Sequence, residues 1–156
     1  MPITVGIIAI AIQIVLIPLL SFQFVVPDLV LIVLVIYTLK KGQIFGTITG
    51  FILGFLFDIF SGGIIGAAMF SKTLAGFTAG YFYSENKTDT NLNTTIFVLI
   101  IFVCSAIDAL FYQILISKTT DFTFITLFVK HSFLPAFYTA LLSLIWLIFK
   151  PKTKSE

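Results

Sequence analysis

The sequence predicts an all-α membrane protein with six transmembrane helices, and its composition and length are the observations behind that prediction. Hydrophobic residues make up 59% of the chain and charged residues 10%, whereas a soluble domain has about 45–50% and about 25%. Few charges are needed on a surface that faces lipid. At about 20 residues per crossing, the 156 residues hold five or six spans with short loops and leave no room for a large extramembrane domain.

The first two helices are predicted from apolar runs at the start of the chain. Residues 3–22 form one run, in which Gln13 is the one strongly polar residue. Residues 29–39 form a shorter run that ends at Lys40 and Lys41. This second helix crosses a bilayer only if the residues before it contribute and the lysines extend to the interface.

The third and fourth helices are predicted as a pair joined by a tight turn. The third covers residues 43–60 and the fourth residues 64–83. Between them lies Ser61-Gly62-Gly63, a sequence typical of turns. The polar residues 84–93 that follow are predicted to form the longest loop.

The last two helices are predicted over residues 94–116 and 122–149. The final run is longer than a bilayer requires and contains Pro135, so we expect a kink there or a separate interfacial turn before it. The domain prediction is therefore one six-span transmembrane domain over residues 1–149, followed by a charged cytoplasmic tail, residues 150–156.

Lysine distribution predicts the orientation of these helices. With six spans, both termini lie on one side of the membrane. The loops and tail on that side contain six lysines, namely Lys40, Lys41, Lys87, Lys150, Lys152 and Lys154, and the opposite loops contain Lys118 alone. The positive-inside rule then places both termini in the cytoplasm. The net charge of +2 is too small to indicate nucleic-acid binding.

Glycines at a spacing of four residues mark one face of the third predicted helix. The series consists of Gly42, Gly46, Gly50 and Gly54, and Asp58 continues it. Gly76 and Gly80 repeat the spacing on the fourth helix. Small residues at this spacing let helix backbones approach closely in a membrane. One interpretation is internal packing of the third helix on the fourth, and the other is a face that receives a partner helix.

Four ionisable residues lie within predicted spans, namely Asp58, Lys72, Asp108 and Lys130. Such residues are costly in hydrocarbon and usually face the bundle interior or mark a functional site. All four fall in the outer half of the membrane, so we predict one ion pair between Lys72 and Asp58 and another between Lys130 and Asp108. Structural pairing is one interpretation; an ion-coupled or ligand site and contact with a partner chain are the alternatives.

Catalytic, metal and cofactor sites are not predicted. His131 is the only histidine and Cys104 the only cysteine, so the usual nitrogen and sulfur ligands of a metal are not available in number. We find no nucleophile–base pair and no glycine-rich phosphate loop. An intramembrane enzyme is therefore disfavoured.

The order of motifs in the first half of the chain resembles that of the MreD family, the small membrane component of the bacterial rod-shape machinery. Pro27-Asp28, on the outer side, opens a short apolar helix that ends at Lys40-Lys41, and the glycine series follows. The resemblance covers residues 27–80, whereas the last two helices match in hydropathy and length. The basic pair in such proteins often contains Arg, which this chain lacks.

The resemblance implies a non-enzymatic scaffold in the bacterial inner membrane. Its expected partners are an MreC-type single-span protein and, in a larger complex, the elongation glycosyltransferase and transpeptidase and the MreB filament. It also implies a six-helix fold similar to the substrate-binding subunits of energy-coupling-factor vitamin transporters. A small-molecule-binding subunit of a transporter is therefore the alternative function.

Overall fold

The computed structural model describes residues 2–20, 27–84, 95–116 and 133–149, and within them the chain forms six α-helices and no strand. We number the helices in chain order: α1 (Pro2–Leu20), α2 (Leu29–Lys41), α3 (Gln43–Ser61), α4 (Ala67–Gly80), α5 (Thr95–Ile116) and α6 (Leu134–Phe149). The all-α prediction is confirmed. Lys130, His131 and the tail, residues 150–156, lie outside the described residues.

Two of these helices have the length and apolarity needed to cross a membrane. They are α3, with 19 residues and a mean hydropathy of 1.8, and α5, with 22 residues and a mean hydropathy of 2.3. Shorter apolar stretches occur at Ile3–Val15 and Leu134–Leu144. The number of six spans therefore stays a prediction.

The ends of α2 and α3 differ little from the predicted boundaries, and positive-φ glycines lie at three of the helix boundaries. Gly42 separates α2 from α3 with φ of 98°, and Gly62 ends α3 in the left-handed region with φ of 65°. Both values favour a residue without a Cβ atom. The fourth helix is shorter than predicted, because it begins only after Gly66, where φ is 105°.

Pro135 lies in the first turn of α6, which begins at Leu134. A proline is tolerated there because the first backbone N–H groups of a helix have no intrahelical acceptor. A kink within a long sixth helix is thus not observed in the described part of the chain.

Helix α2 lies at the centre of the bundle and contacts each of the other five helices. Of its 13 residues, eight are buried. One core cluster joins Val35 to α4 and α5 through Ala75 and Phe97. The other joins Val30 to α1 and α3 through Ile10 and Leu53. A helix that is apolar on every side is typical of a bundle centre.

Candidate functional site: a buried charge cluster

Asp28 caps the first turn of α2 and connects that turn to other helices. Its carboxylate accepts a hydrogen bond from the backbone N–H of Leu31 at 2.9 Å. Its own backbone N–H donates to the hydroxyl of Thr139 on α6 at 3.1 Å. The side-chain oxygen of Gln13 on α1 accepts from the N–H of Val30 at 3.2 Å. The first backbone N–H groups of a helix have no acceptor within the helix. At the start of α2, two of these groups bind side chains of α1 and α6 and so connect those helices to α2.

Lys72 of α4 is the cation of this region, and it is only 2% exposed. Its ammonium group forms an ion pair with Asp28, and a second with Asp108 of α5 at 3.1 Å. It also lies 5.4 Å from the centre of the Phe57 ring of α3, a distance at which a ring face attracts a cation. We call Asp28, Lys72 and Asp108 the buried charge cluster; it joins α2, α4 and α5.

The buried charge cluster contains two carboxylates and one ammonium group, so its formal charge is −1 when all three groups are ionised. Asp108 is 6% exposed. Its Oδ2 atom accepts from Lys72, but its Oδ1 atom has no hydrogen-bond partner among the described residues. The three side chains are therefore held together by ion pairs, while one buried carboxylate oxygen lacks a hydrogen bond among the described residues.

The predicted pair between Lys72 and Asp58 is not formed. Asp58 instead accepts three backbone N–H groups at the start of α4, from Gly66 at 2.8 Å, Ala68 at 3.0 Å and Met69 at 3.0 Å. Glycine at the N-cap of α4 offers no side-chain acceptor, so a carboxylate from α3 supplies it. The positive end of the helix dipole compensates this buried carboxylate in place of a lysine.

The predicted pair between Lys130 and Asp108 stays a prediction. Lys130 lies outside the described residues, and the partner that the structure shows for Asp108 is Lys72. Sequence analysis placed Asp28 in an outer motif but missed its role as an ionic partner. The available signal was that Asp28 directly precedes an apolar run that is short for a membrane crossing.

The glycine series on α3 lies against the chain's own helices. A Cβ atom built on Gly54 would lie 2.6 Å from Cα of Met69, and one on Gly50 would lie 3.0 Å from the carbonyl carbon of Lys72. From the other side, a Cβ on Gly76 would lie 2.8 Å from the carbonyl carbon of Gly46. These backbone contacts favour internal packing of α3 on α4 over a face open to a partner.

The remaining predicted positions also lie against other parts of the chain or are buried. A Cβ on Gly46 would overlap the side chain of Thr38, and one on Gly80 would overlap Gln43. Gly42 faces the ring of Tyr83, with 3.6 Å from its built Cβ to the nearest ring carbon. Pro27 is buried immediately before the buried charge cluster.

The polar contacts in this region hold helices together. Within the described residues, no group of three or more His, Cys, Asp and Glu side chains could hold a metal ion. Lys72 contacts both carboxylates of the buried charge cluster. Asp58, which lies outside the cluster, binds backbone amides. The contacts that are shown therefore fix helix positions and provide no arrangement for bond chemistry.

Comparison with known proteins identifies the family. No curated protein and no solved structure gives a significant match to the chain, so the likeness to energy-coupling-factor subunits stays a prediction. The family model described as rod shape-determining protein MreD matches residues 1–151, which is nearly the whole chain. This is a family of membrane proteins in the rod-shape system and is not a known family of enzymes. The chain belongs to the MreD family of rod shape-determining proteins.

Proposed function

We propose that this chain is a non-enzymatic, six-span scaffold of the bacterial inner membrane that binds an MreC-type single-span protein. Through that partner it helps to organise lateral peptidoglycan synthesis by the elongation glycosyltransferase and transpeptidase, in a complex that includes MreB. The observation that carries the proposal is the family match over residues 1–151.

The distribution of contacts supports a scaffold. Among the described residues, the predicted glycines and ionisable side chains that could have formed a partner or substrate site contact other parts of the chain itself. The glycine face of α3 is thereby closed to a partner helix. Its opposite face presents large apolar side chains that are 41–79% exposed: Ile44, Ile48, Phe51, Phe55 and Ile59. We propose that the partner's transmembrane helix packs on this outward face.

Depletion in a rod-shaped host tests the function. Loss of the protein should cause rounding, and restoring the wild-type chain should restore rods. If depletion leaves cell shape intact and abolishes uptake of one nutrient, the alternative, a small-molecule-binding subunit of a transporter, is correct instead.

Matched variants test the proposed face in the same cells. Phe51→Ala removes a ring that is 50% exposed on α3, and Phe137→Ala removes one that is 54% exposed on α6. Both changes keep an apolar residue and neither ring is buried, so both proteins should fold. Phe51→Ala should restore rods poorly and Phe137→Ala fully. Equal restoration by the two variants would exclude the α3 face.

A further inference from the structure

An apolar groove of about 730 Å³ runs along α2 on the side that faces α1. Ile32 and Ile36 of α2 line its floor, and Ile8 and Ile12 of α1 line one wall. The floor residues are 7% and 8% exposed, while the wall residues are 58% and 43% exposed. The groove is thus deep at α2 and accessible along its rim.

The polar residues of the groove are confined to one end. Among the described residues that line it, Tyr37 and Lys40 are polar and the others are apolar. Both belong to the last turns of α2, which ends at Lys41. An occupant therefore needs a long apolar body and, at one end, a group that is compatible with a cation.

The length of the groove suits a hydrocarbon chain of one membrane leaflet. Its lining on α2 extends from Leu29 to Lys40, which is about 16 Å at 1.5 Å per residue. This length is close to one leaflet of a hydrocarbon core about 30 Å thick.

We propose that the groove binds one fatty-acyl chain of an anionic phospholipid, with the lipid phosphate at Lys40. The orientation predicted from the lysines puts Lys40 at the cytoplasmic interface, so the lipid belongs to the inner leaflet. Acidic headgroups attract lysines at that surface. This site is separate from the outward face of α3 and does not depend on the partner proposed above.

Native mass spectrometry of the full-length purified protein tests the proposal. Phosphatidylglycerol and phosphatidylcholine with identical acyl chains serve as the two probes, and we expect the wild type to retain phosphatidylglycerol preferentially. Lys40→Gln should weaken phosphatidylglycerol binding about fivefold, the loss expected for one lysine at an anionic surface, and leave phosphatidylcholine binding unchanged. Lys41→Gln is the matched control, since Lys41 is exposed but does not line the groove; its effect should be clearly smaller than that of Lys40→Gln.

A groove-filling variant tests the acyl chain independently of the headgroup. Ile8→Trp adds bulk to an exposed wall residue and should reduce binding of both lipids. Equal losses from Lys40→Gln and Lys41→Gln would show diffuse surface charge and overturn the proposal. Unchanged lipid binding in Ile8→Trp, or equal retention of the two lipids by the wild type, would also overturn it. The charge variant keeps the test decisive if Ile8→Trp fails to fold.

Discussion

Lys72 illustrates, at the scale of single residues, how this chain accommodates charges in an apolar bundle. Removing an ion from water is expensive, and an isolated buried pair often contributes no net stability. Here the ammonium group of Lys72 forms ion pairs with two carboxylates and also contacts an aromatic ring. We infer that the cluster's main effect is to select one arrangement of α2, α4 and α5.

Replacing Lys72 should therefore be much worse than replacing an exposed lysine. Lys72→Met leaves two buried carboxylates without their cation, which should cost about 3–5 kcal/mol of unfolding free energy, whereas Lys41→Met, at an exposed lysine outside the groove, should change it by less than about 0.5 kcal/mol. Thermal or denaturant unfolding in detergent measures both. The double variant Lys72→Met with Asp108→Asn should lose less than the sum of its single changes, and strictly additive losses would argue against direct contact.

Asp58 should be important for a different reason, because its partners are backbone amides. Asp58→Ala leaves three N–H groups at the start of α4 without their acceptor, at a cost of about 1–3 kcal/mol for a buried group. Asp58→Asn keeps one acceptor oxygen and should lose less. Unfolding of the two variants compares them directly. Equal stability of Asp58→Ala and wild type would rule out the capping role.

At the scale of helices, the contact between α3 and α4 depends on glycines that permit backbone-to-backbone packing. Protein interiors are closely packed and tolerate little added volume. Gly54 and Gly76 belong to opposite helices and both lie against backbone of the other helix. The two helices therefore behave as one packed hairpin, with the Asp58 carboxylate fixing the turn between them.

A single added methyl group tests this hairpin. Gly50→Ala places a Cβ against the carbonyl of Lys72 and should destabilise the protein by about 1–3 kcal/mol through overpacking. Gly63→Ala is the control, because its built Cβ lies 3.5 Å from the nearest atom, Oγ of Ser61, an ordinary contact. If the two variants unfold at the same temperature, α3 and α4 are not packed as described.

The sequence predicts the helices well and the polar contacts poorly, for physical reasons. Apolar runs, and the charged or glycine residues that end them, can be read from the local sequence. The end of α2 at Lys41 and the turn after Ser61 are therefore close to their predicted positions. Ionic pairing depends instead on which helices become neighbours. Depth alone paired Lys72 with Asp58, and it could not show that the Asp58 carboxylate binds the α4 amides or that Asp28 lies next to Lys72.

At the scale of the whole molecule, the described part of the chain buries its charge cluster and exposes many large apolar side chains. The buried charge cluster lies among α2, α4 and α5, whereas large apolar side chains such as Ile44 and Val15 are 79% and 67% exposed. This distribution suits a chain whose solvent is lipid. The two binding surfaces proposed above are mainly apolar for the same reason.

The topology that follows can be tested at the chain ends. We expect both termini in the cytoplasm, because six of the seven lysines in loops and tail then lie on the inner side. A cysteine introduced at Lys152, in a Cys104→Ala background, should react with a membrane-impermeant reagent only after the cells are opened. Labelling in intact cells would contradict six spans with this orientation.

We propose that the protein acts by holding a membrane partner, without turnover, and recovery of that partner distinguishes this role from that of a transporter subunit. The tagged chain is purified from membranes of its own rod-shaped host in mild detergent, and the recovered proteins are quantified by mass spectrometry. We predict a single-span protein with a large outer domain at a fixed molar ratio, reduced by Phe51→Ala and unaffected by Phe137→Ala. Recovery of an ATPase module at a fixed ratio, with no single-span partner, would contradict the account.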